Sequence, residues 1–312
     1  MRVLVTGGAG FIGSNVVDAL VKNGEEVVII DNLSTGFERN LNSDTKLYRL
    51  DIRDKAISNI FEREKPQIVI HLAAQTSVMR SIAEPEFDAE VNISGSLNVL
   101  SNCVKFGIRK IVYASSSAAY GTPEYLPVDE KHPLNPLAPY GVSKHTVEHY
   151  LFQHHILYGL SYIALRYANV YGPRQNPRGE GGVVAIFAGK LLRGEQPVIF
   201  GVGDKSRDYI YVDDVVHANL QAMKSNKTGI FNIGTGVETY DKTIFDLLAA
   251  ECHYTDFPEY APERPGEIKR IFLDNKLAEK TLNWKPRVDL KDGITKTVSF
   301  YRDELIHENA VW

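Results

Sequence analysis

The sequence predicts an α/β fold, a doubly wound parallel sheet followed by a smaller C-terminal region. Three observations indicate this class. Short β-branched runs alternate with helical patterns in the first half of the 312 residues, an order that gives parallel strands joined by right-handed crossovers. The runs are almost continuously apolar, as in a sheet that is covered on both faces. A glycine-rich turn directly follows the first run and opens a helical pattern.

The elements follow one another in a regular order. Apolar runs bounded by polar or glycine residues predict strands at residues 2–6, 26–30, 46–50, 67–70, 110–113 and 163–166. Helical spacing predicts helices over residues 11–22, 56–63, 88–106 and 140–158. After about residue 168 the elements become shorter, and residues 172–182 form a loop rich in Gly, Pro and Arg. We therefore expect a first domain at 1–168 and a second region at 169–312, from which some chain returns to the first.

Composition narrows the class of protein. The chain is 44% hydrophobic and 24% charged, with a formal net charge of -4, which argues against a general binder of nucleic acid or of membrane surfaces. The two cysteines, Cys103 and Cys252, lack metal-ligand spacing and suggest a reducing compartment. No apolar run approaches the ~20 residues of a membrane span, and the N-terminus does not resemble a signal peptide. We expect a cytoplasmic protein.

The turn TGGAGFIG at residues 6–13 has the spacing of a dinucleotide-binding loop. Gly7, Gly10 and Gly13 follow a strand and open a helix, and Asp31 ends the next strand. Such glycines let the backbone approach a pyrophosphate, and the helix N-terminus offers unpaired N–H groups. Asp31 is suited to accept hydrogen bonds from an adenosine ribose and would repel a 2′-phosphate, so NAD is favoured over NADP. The alternative is a structural glycine turn with an incidental Asp.

Two further features are ambiguous when each is taken alone. Asp51 and Ile52 follow the third strand, where an adenine contact and a solvated loop are both consistent with the sequence. Tyr140 and Lys144 share one helix face at i and i+4. A neighbouring ammonium lowers the pKa of a phenol, so the pair is predicted to act as a general acid/base on an alcohol. A surface tyrosine and lysine would have the same spacing, but the glycine loop and the serines at 115–117 favour the catalytic interpretation.

Together these motifs resemble the extended short-chain dehydrogenase/reductases and, within them, the UDP-glucose 4-epimerases. The resemblance covers nearly the whole chain through motifs that occur in the family's order: TGGAGFIG, DNLSTG, LDIRD, HLAAQ, VNISGSLNVL, YASSSAAYG, YGVSK, LRYANVYGPRQ, SRDYIYVDD, FNIGTG and ERPGE. It implies a Rossmann-type NAD-binding domain at 1–168 and a region at 169–312 that mainly binds the nucleotide sugar.

The resemblance also implies roles for individual residues. The base is Tyr140, its partner is Lys144, and the substrate-binding serine falls on Ser116, with Ser115 and Ser117 each one register step away. The implied NAD contacts are Gly7, Gly10, Phe11, Ile12, Gly13, Asp31, Asn32, Ser34, Thr35, Gly36, Asp51, Ile52, Leu72, Ala73, Ala74, Gln75, Asn92, Ala114, Ser115, Tyr140, Lys144, Tyr167 and Val170. The implied substrate contacts are Ser116, Ser117, Tyr140, Asn169, Val183, Val184, Val198, Phe200, Arg207, Arg264 and Glu267.

The implied reaction is NAD-dependent inversion of C4 of a UDP-hexose through a transient 4-keto sugar. Ile271, at the family's pocket-size position, is neither aromatic nor tiny, so we expect UDP-glucose and UDP-galactose, with UDP-N-acetylglucosamine and UDP-glucuronate left open. Nucleotide-sugar dehydratases and decarboxylases resemble this chain, but they place a carboxylate where it has Ser117 and Ala118. A non-catalytic NAD-binding sensor is a more distant alternative, against which Ser116, Tyr140 and Lys144 argue.

Two remaining expectations concern metals and partners. His145 and His149 lie in an H-x-x-E-H pattern, which also occurs in inverted zinc peptidases. Its face is rotated away from Tyr140 and Lys144, so we expect surface or interface histidines and no metal. The resemblance implies a homodimer that pairs the helices at 88–106 and 140–158.

Overall fold

The computed structural model describes residues 1–178, 182–263 and 267–307. The strands in these ranges are β1 (Arg2–Thr6), β2 (Glu26–Asp31), β3 (Lys46–Arg49), β4 (Ile68–His71), β5 (Lys110–Ser116), β6 (Ser161–Tyr167), β7 (Asn169–Tyr171), β8 (Val198–Phe200), β9 (Ser206–Arg207), β10 (Tyr209–Tyr211), β11 (Gly229–Ile233), β12 (Thr239–Tyr240) and β13 (Glu259–Ala261).

The helices in the same ranges are α1 (Phe11–Lys22), α2 (Ile57–Glu64), α3 (Val78–Ala83), α4 (Pro85–Ala89), α5 (Ser96–Lys105), α6 (Pro139–Tyr158), α7 (Val183–Leu192), α8 (Val212–Lys224), α9 (Asp241–Cys252), α10 (Lys276–Leu282) and α11 (Leu290–His307). Short 3₁₀ turns lie at Glu38–Asn40 and Ser117–Ala119, and a π-helical turn at Glu90–Gly95 joins α4 to α5.

The predicted doubly wound parallel sheet is confirmed. Seven strands pair in the order β11-β6-β5-β4-β1-β2-β3, and the pairing is parallel throughout. The strands β1 to β6 follow the strand order of dinucleotide-binding sheets. In such sheets ligands lie at the carboxyl ends of the strands, near the point between β1 and β4 where the strand order reverses. The glycine turn after β1 and the end of β4 therefore lie at that edge.

Both faces of the sheet are buried, which explains the near-continuous apolar strands. Along β1, Val3 and Val5 pack into one hydrophobic cluster with residues of α1 and α8. Leu4 points to the opposite face and packs into a second cluster with residues of α2, α5 and α6. Because successive side chains alternate between the two faces of a strand, a strand between two helix layers needs apolar residues at every position.

Two predicted elements differ from the structure in instructive ways. The predicted strand at 110–113 continues to Ser116, since Ser115 and Ser116 pair with Arg166 and Tyr167 of β6. The ladder uses backbone groups, so the polar side chains do not end it. The predicted helix at 88–106 consists of α4, the π-helical turn and α5, and such turns are frequent at functional sites.

The chain after β6 builds smaller units beyond the carboxyl end of the large sheet. β7 follows β6 after a single residue and pairs with β10, while β8 pairs with β13 and β9 with β12. The helices α7, α9 and α11 pack against one another beside them. The strand β11 instead joins the edge of the large sheet next to β6. Within the described ranges, no helix has the length and apolar character that crossing a membrane requires.

Candidate active site

The turn between β1 and α1 has room only for glycine at two positions. Gly7 has φ +75°, and a Cβ there would lie 2.6 Å from the backbone nitrogen of Ala73. A Cβ on Gly13 would lie 1.9 Å from the carbonyl oxygen of Gly7. The turn is thus drawn tightly against the end of β4 and the first turn of α1.

The helix α1 begins without a side-chain cap. Its N-cap is Gly10, and its first turn carries no acidic residue. The first N–H groups of a helix have no intrahelical partner, so Phe11, Ile12 and Gly13 leave backbone donors at the carboxyl edge of the sheet. This arrangement suits an anion such as a pyrophosphate.

Asp31 ends β2 and faces the glycine turn. Its side chain is 7% exposed and accepts hydrogen bonds from the backbone N–H of Ala9 at 2.9 Å and of Leu33 at 2.8 Å. The following loop, which includes the predicted contacts Asn32, Ser34, Thr35 and Gly36, turns back on the same region, since Phe37 donates its N–H to the Ala9 carbonyl. A Cβ on Gly36 would lie 2.9 Å from Ala9. Asp31 therefore holds the glycine turn and this loop together.

Asp51 is engaged by its own neighbours. The side chain of Arg53 donates two hydrogen bonds to its carboxylate, each 2.9 Å long, the backbone N–H of Arg53 donates a third at 2.8 Å, and Asn32 donates a fourth at 2.8 Å. These bonds, led by those from Arg53, lower the pKa of Asp51 to about 2. The adjacent Ile52 is buried in the second hydrophobic cluster, so its side chain is part of the core.

A buried polar network supports the chain after β4. Thr6 and Ser96 hold the ring of His71 from its two sides, with 2.6 Å to Nδ1 and 2.9 Å to Nε2. The predicted contacts Leu72, Ala73, Ala74 and Gln75 follow His71 directly. Asn92, 1% exposed, accepts from the Gln75 N–H at 2.8 Å and donates to the Gln75 carbonyl at 3.0 Å. The segment is thereby fixed beside the glycine turn.

The first turns of α6 place Tyr140 and Lys144 next to the end of β5. The helix begins at Pro139, and a Cβ on Gly141 would lie 2.5 Å from the carbonyl oxygen of Ala118. Glycine at 141 thus lets the helix approach the turn that carries the serines. Lys144 is 3% exposed, and its Nζ lies 4.5 Å from the centre of the Tyr113 ring.

The three predicted serines have different environments. Ser115 is 2% exposed and donates a 2.6 Å hydrogen bond to Glu148 of α6. Ser116 ends β5 and is half-buried, its Oγ accepting from the Ala118 N–H at 3.2 Å. Ser117 lies in the 3₁₀ turn and is half-buried too. Ser116 is also the serine whose hydrogen bonding acts on the pKa of Tyr140.

The charges around Tyr140 correct one expectation. Burial raises the pKa of Tyr140, the hydrogen bond with Ser116 opposes this, and the charge of Asp88 raises it further. Burial lowers the pKa of Lys144 to about 7, against the charges of Asp88 and Glu148. For the protein groups alone the pKa of Tyr140 is thus raised and not lowered as expected, because burial of the phenol is the largest influence on it.

The buried carboxylate of Glu148 on α6 accepts hydrogen bonds from several residues around the end of β5. Arg166 of β6 donates two hydrogen bonds to it, 2.8 and 2.6 Å long, and both side chains are 2% exposed. Burial acts to raise the pKa of Glu148, but the bonds from Arg166, His145 and Ser115 lower it to about 2. His145 uses Nδ1 for this contact, and its Nε2 lies 3.0 Å from Nε2 of His149. In the part of the chain that the structure describes, no group of three His, Cys, Asp or Glu is placed to hold a metal ion.

The predicted substrate contacts lie on the elements beyond the sheet. Asn169 is exposed on β7, Val170 and Val183 are half-buried, and Val198 and Phe200 are half-buried on β8. Arg207 is half-buried on β9, and its Nη1 donates to the carbonyl oxygens of Ser206 at 2.8 Å and Lys269 at 3.4 Å. Glu267 accepts a hydrogen bond from the buried Lys205. Arg264 lies outside the described residues.

Several predicted contacts point away from the site. Besides Ile52, Val184 is 1% exposed within the core, and Tyr167 is 6% exposed with its hydroxyl 3.0 Å from Asn219 of α8. Ser115 is bound to Glu148. Because protein atoms already enclose these side chains, such residues would reach a ligand only through their backbone, and their roles stay predictions. Ile271, the presumed pocket-size residue, is also buried at 4% exposure.

Sequence reasoning missed the residues that support the site. Glu148 follows Lys144 by four positions and Tyr140 by eight, a helical interval that signals a shared face. Arg166 and Asp88 gave no such signal. Arg166 lies on a different element from its partner Glu148, and Asp88 is far along the chain from Lys144.

Comparisons with known proteins agree with this architecture. Residues 3–234 match the model of the NAD dependent epimerase/dehydratase family. A putative UDP-glucose 4-epimerase of Methanocaldococcus jannaschii is 47% identical over 302 residues, covering 96% of this chain and 98% of that protein.

Two solved structures are similar over almost the full length. The UDP-glucose 4-epimerase of Thermotoga maritima with UDP-glucose superposes with a TM-score of 0.96 at 47% identity, over 98% of this chain and 100% of that one. The UDP-glucose 4-epimerase of Thermus thermophilus in complex with NAD gives 0.92 at 42% identity, over 97% and 99%. The chain therefore belongs to the NAD dependent epimerase/dehydratase family.

Proposed function

We propose that this protein is an NAD-dependent UDP-glucose 4-epimerase that interconverts UDP-glucose and UDP-galactose through a 4-keto sugar. The observation that carries the proposal is that Ser116 ends β5 and the first turns of α6 bring Tyr140 and Lys144 there, on the same edge of the parallel sheet as the glycine turn after β1. The names of the full-length relatives support the choice of substrate.

The cofactor of this family is NAD, and the described residues fit it. The glycine turn packs its backbone directly against the end of β4 and the start of α1, α1 offers uncapped N–H groups, and Asp31 presents a carboxylate next to the turn. We propose that these groups hold the pyrophosphate and the adenosine ribose. When bound, NAD supplies the hydride acceptor and donor that inversion at C4 requires.

The residues of the chain then have distinct roles. We propose that Tyr140 takes the proton of the sugar 4-hydroxyl and later returns it to the 4-oxygen. Ser116 positions that oxygen by hydrogen bonding, and Lys144 stabilises the phenolate of Tyr140 through its charge. Burial raises the Tyr140 pKa, so the charge of Lys144 acts against that burial, and a positive nicotinamide ring would act in the same direction.

We assign the binding of the nucleotide end of the substrate to residues 169–312. Val198 and Phe200 are suited to pack against a uracil ring, and Asn169 and Arg207 are polar groups suited to the diphosphate, for which the forked donors of arginine are well shaped. Glu267 is an acceptor for sugar or ribose hydroxyls. We propose that this region supplies most of the binding energy, while the hexose keeps the freedom to turn over.

Dehydratases and decarboxylases share the first oxidation step and are the alternatives to exclude. The turn after Ser116 holds Ser117 and Ala118, and Ala118 packs against Gly141 of α6. That turn therefore offers no carboxylate to act as the base of an elimination.

The decisive experiment incubates the purified protein with UDP-glucose, UDP-N-acetylglucosamine and UDP-glucuronate separately and follows the products by ¹H NMR. We expect UDP-galactose to form from UDP-glucose until equilibrium is reached. Accumulation of a 4-keto-6-deoxy sugar or a pentose would assign a sister reaction. Bound NAD without turnover of any sugar nucleotide would indicate a sensor.

We also propose a homodimer formed through α6. Val142, Phe152 and Ile156 are 48%, 56% and 63% exposed, and with His145 and His149 they follow a spacing of three and four residues along one helix face. Such an apolar stripe fits a helix of a second copy. The two cysteines form no disulfide, which supports the further proposal of a cytoplasmic location.

The dimer is tested by light scattering after size-exclusion chromatography. We expect twice the 34.9 kDa of one chain for the unaltered protein, and dissociation for Phe152→Glu, since a buried unpaired charge is costly. The matched control is Phe257→Glu, because Phe257 is 82% exposed outside the stripe. A dimer that survives Phe152→Glu would contradict the proposed interface.

A further inference from the structure

Two buried carboxylates, Asp88 of α4 and Glu148 of α6, lie on helices that pack against each other, and they differ in how their charge is balanced. Glu148 is paired with the guanidinium of Arg166 through two hydrogen bonds. Asp88, on α4, is 1% exposed and has only neutral hydrogen-bond donors: its Oδ1 accepts from Gln75 Nε2 at 2.8 Å and from Asn92 Nδ2 at 3.1 Å. Of the two carboxylates, only Asp88 has no cationic hydrogen-bond donor among the described residues.

The second oxygen of Asp88 is an unusual feature. Asp88 Oδ2 is buried and has no hydrogen-bond partner among the residues that the structure describes. A buried polar atom without a partner is destabilising, and more so when it is charged. A fold keeps an ionised group of this kind at a cost unless a nearby positive charge stabilises it.

The nearby positive charge is Lys144. The carboxylate of Asp88 acts to raise the pKa of Lys144, second in size only to the burial that lowers it to about 7. A hydrogen bond links the π-helical turn after α4 to α6, since Asn92 Nδ2 also donates to Ser143 Oγ at 3.0 Å. Ser143 precedes Lys144 on α6, so Gln75, Asn92 and Ser143 fix Asp88 relative to the lysine.

We propose that Asp88 is the buried counter-ion of Lys144, which favours the ammonium form of this lysine and thereby sets the pH range in which Tyr140 works as a base. Asp88 is a positioning residue, since it acts through Lys144. The inference rests on the proposed function for its kinetic part, but the ionisation of Lys144 can be measured without it.

The other titratable groups that face Lys144 do not replace Asp88. His71 of β4 is held neutral, since burial, with the charge of Lys144, lowers its pKa to about 3. Burial raises the pKa of Tyr113 on β5 and that of Tyr140 on α6, so both are neutral phenols at neutral pH. Glu148 is bound to its arginine, which leaves Asp88 as the unbalanced negative charge.

The direction of the effect follows from these charges. Removing the negative charge of Asp88 favours the neutral amine and lowers the pKa of Lys144. Asp88 also raises the pKa of Tyr140, so its removal makes the phenolate easier to form. Both changes move the active ionisation state, an ammonium beside a phenolate, to lower pH.

The test compares Asp88→Asn with Asp88→Glu. Asparagine has the same shape and keeps an oxygen acceptor for Gln75 and Asn92, whereas glutamate keeps the charge. The titration midpoint of the Lys144 ε-carbon, followed by NMR of protein with ¹³C-labelled lysine, should fall by about one pH unit in Asp88→Asn. The alkaline limb of the kcat profile for UDP-glucose should move down with it, with about tenfold loss at pH 8 and little at pH 6. Asp88→Glu should recover part of both shifts.

Three results would overturn the inference. One is an unchanged Lys144 midpoint in folded Asp88→Asn. Another is a uniform loss of kcat at every pH in both variants, which indicates a structural role. If Asp88→Asn does not fold, ¹³C NMR of the unaltered protein decides, because a protonated Asp88 at pH 7 would exclude a counter-ion. Absence of epimerase activity in the unaltered protein would refute the proposed function while leaving the Lys144 titration to be judged separately.

Discussion

The two sides of the candidate site are held in different ways. On the cofactor side, backbone groups face the site, and buried bonds fix them: Asp31 binds the Ala9 amide, and Asn92 binds Gln75 through both of its polar atoms. On the side that we propose for the nucleotide sugar, charged side chains bind one another. Arg270 binds Glu238 at the surface, and the buried Lys205 binds the more exposed Glu267.

This difference indicates how each ligand is bound. Ion pairs between partly exposed side chains contribute about 0–1 kcal/mol, so they are easily exchanged for contacts to a diphosphate and reformed when it leaves. A backbone cradle that is already fixed loses little freedom on binding. We therefore expect NAD to stay bound through many turnovers while UDP-sugars exchange in each one.

The largest expected effect is on the chemical step, and it should leave the binding of both ligands unchanged. Tyr140→Phe removes the hydroxyl but keeps the ring, so kcat should fall on the order of 10³-fold, while the NAD content and the KM for UDP-glucose stay nearly unchanged. Initial rates from NMR and the absorbance of NAD released by denaturation measure these quantities. The control is Tyr125→Phe, whose hydroxyl binds Asp129 on an exposed loop. A Tyr140→Phe enzyme with more than a tenth of the original rate would refute the assigned base.

The next effect tests the cofactor side alone. In Gly13→Ala the new methyl would lie 1.9 Å from the Gly7 carbonyl oxygen, so the turn must shift. We expect NAD affinity, measured by isothermal titration of the stripped protein, to fall about 100-fold, the upper end of the usual strain from overpacking.

Gly24→Ala is the matched control for Gly13→Ala. Gly24 has φ +77° and open space around it, so the variant stores backbone strain of about 1 kcal/mol but should bind NAD normally. Equal losses of affinity in both variants would show that the glycine turn does not contact the cofactor.

The same difference explains what could be predicted from the sequence. The strands, the glycine turn and Asp31 are local signals, because a tight turn, a helix start and a carboxylate at a strand end each occupy a few adjacent positions. Arg166 and Asp88 could not be predicted from the sequence. Glu148, the partner of Arg166, lies on a different element, and Lys144 lies far along the chain from Asp88. Only the fold brings such charges together.

Side-chain direction was the second limit. A resemblance between sequences assigns roles to positions and does not show where side chains point. The side chains of Val184 and Tyr167, both assigned as ligand contacts, pack into the core. Ser115 and Ser116 are adjacent on one strand, and alternation sends the first to Glu148 and the second toward Tyr140. The pKa of Tyr140 was misjudged for a related reason, since burial depends on packing, which the spacing of Tyr140 and Lys144 does not reveal.

The smallest expected effect tests the nucleotide-sugar side. Arg207→Ala removes a guanidinium now held by two backbone carbonyls, so folding should be little affected. Loss of one charge-assisted contact to the diphosphate is worth about 1.5 kcal/mol, and we expect the KM for UDP-glucose to rise about tenfold with kcat and NAD content preserved. Arg193→Ala is the control, because Arg193 at the end of α7 is exposed and bound to its neighbour Glu195. If Arg207→Ala instead releases NAD, the two sides are not independent, and exchangeable side chains cannot explain why one ligand leaves while the other stays.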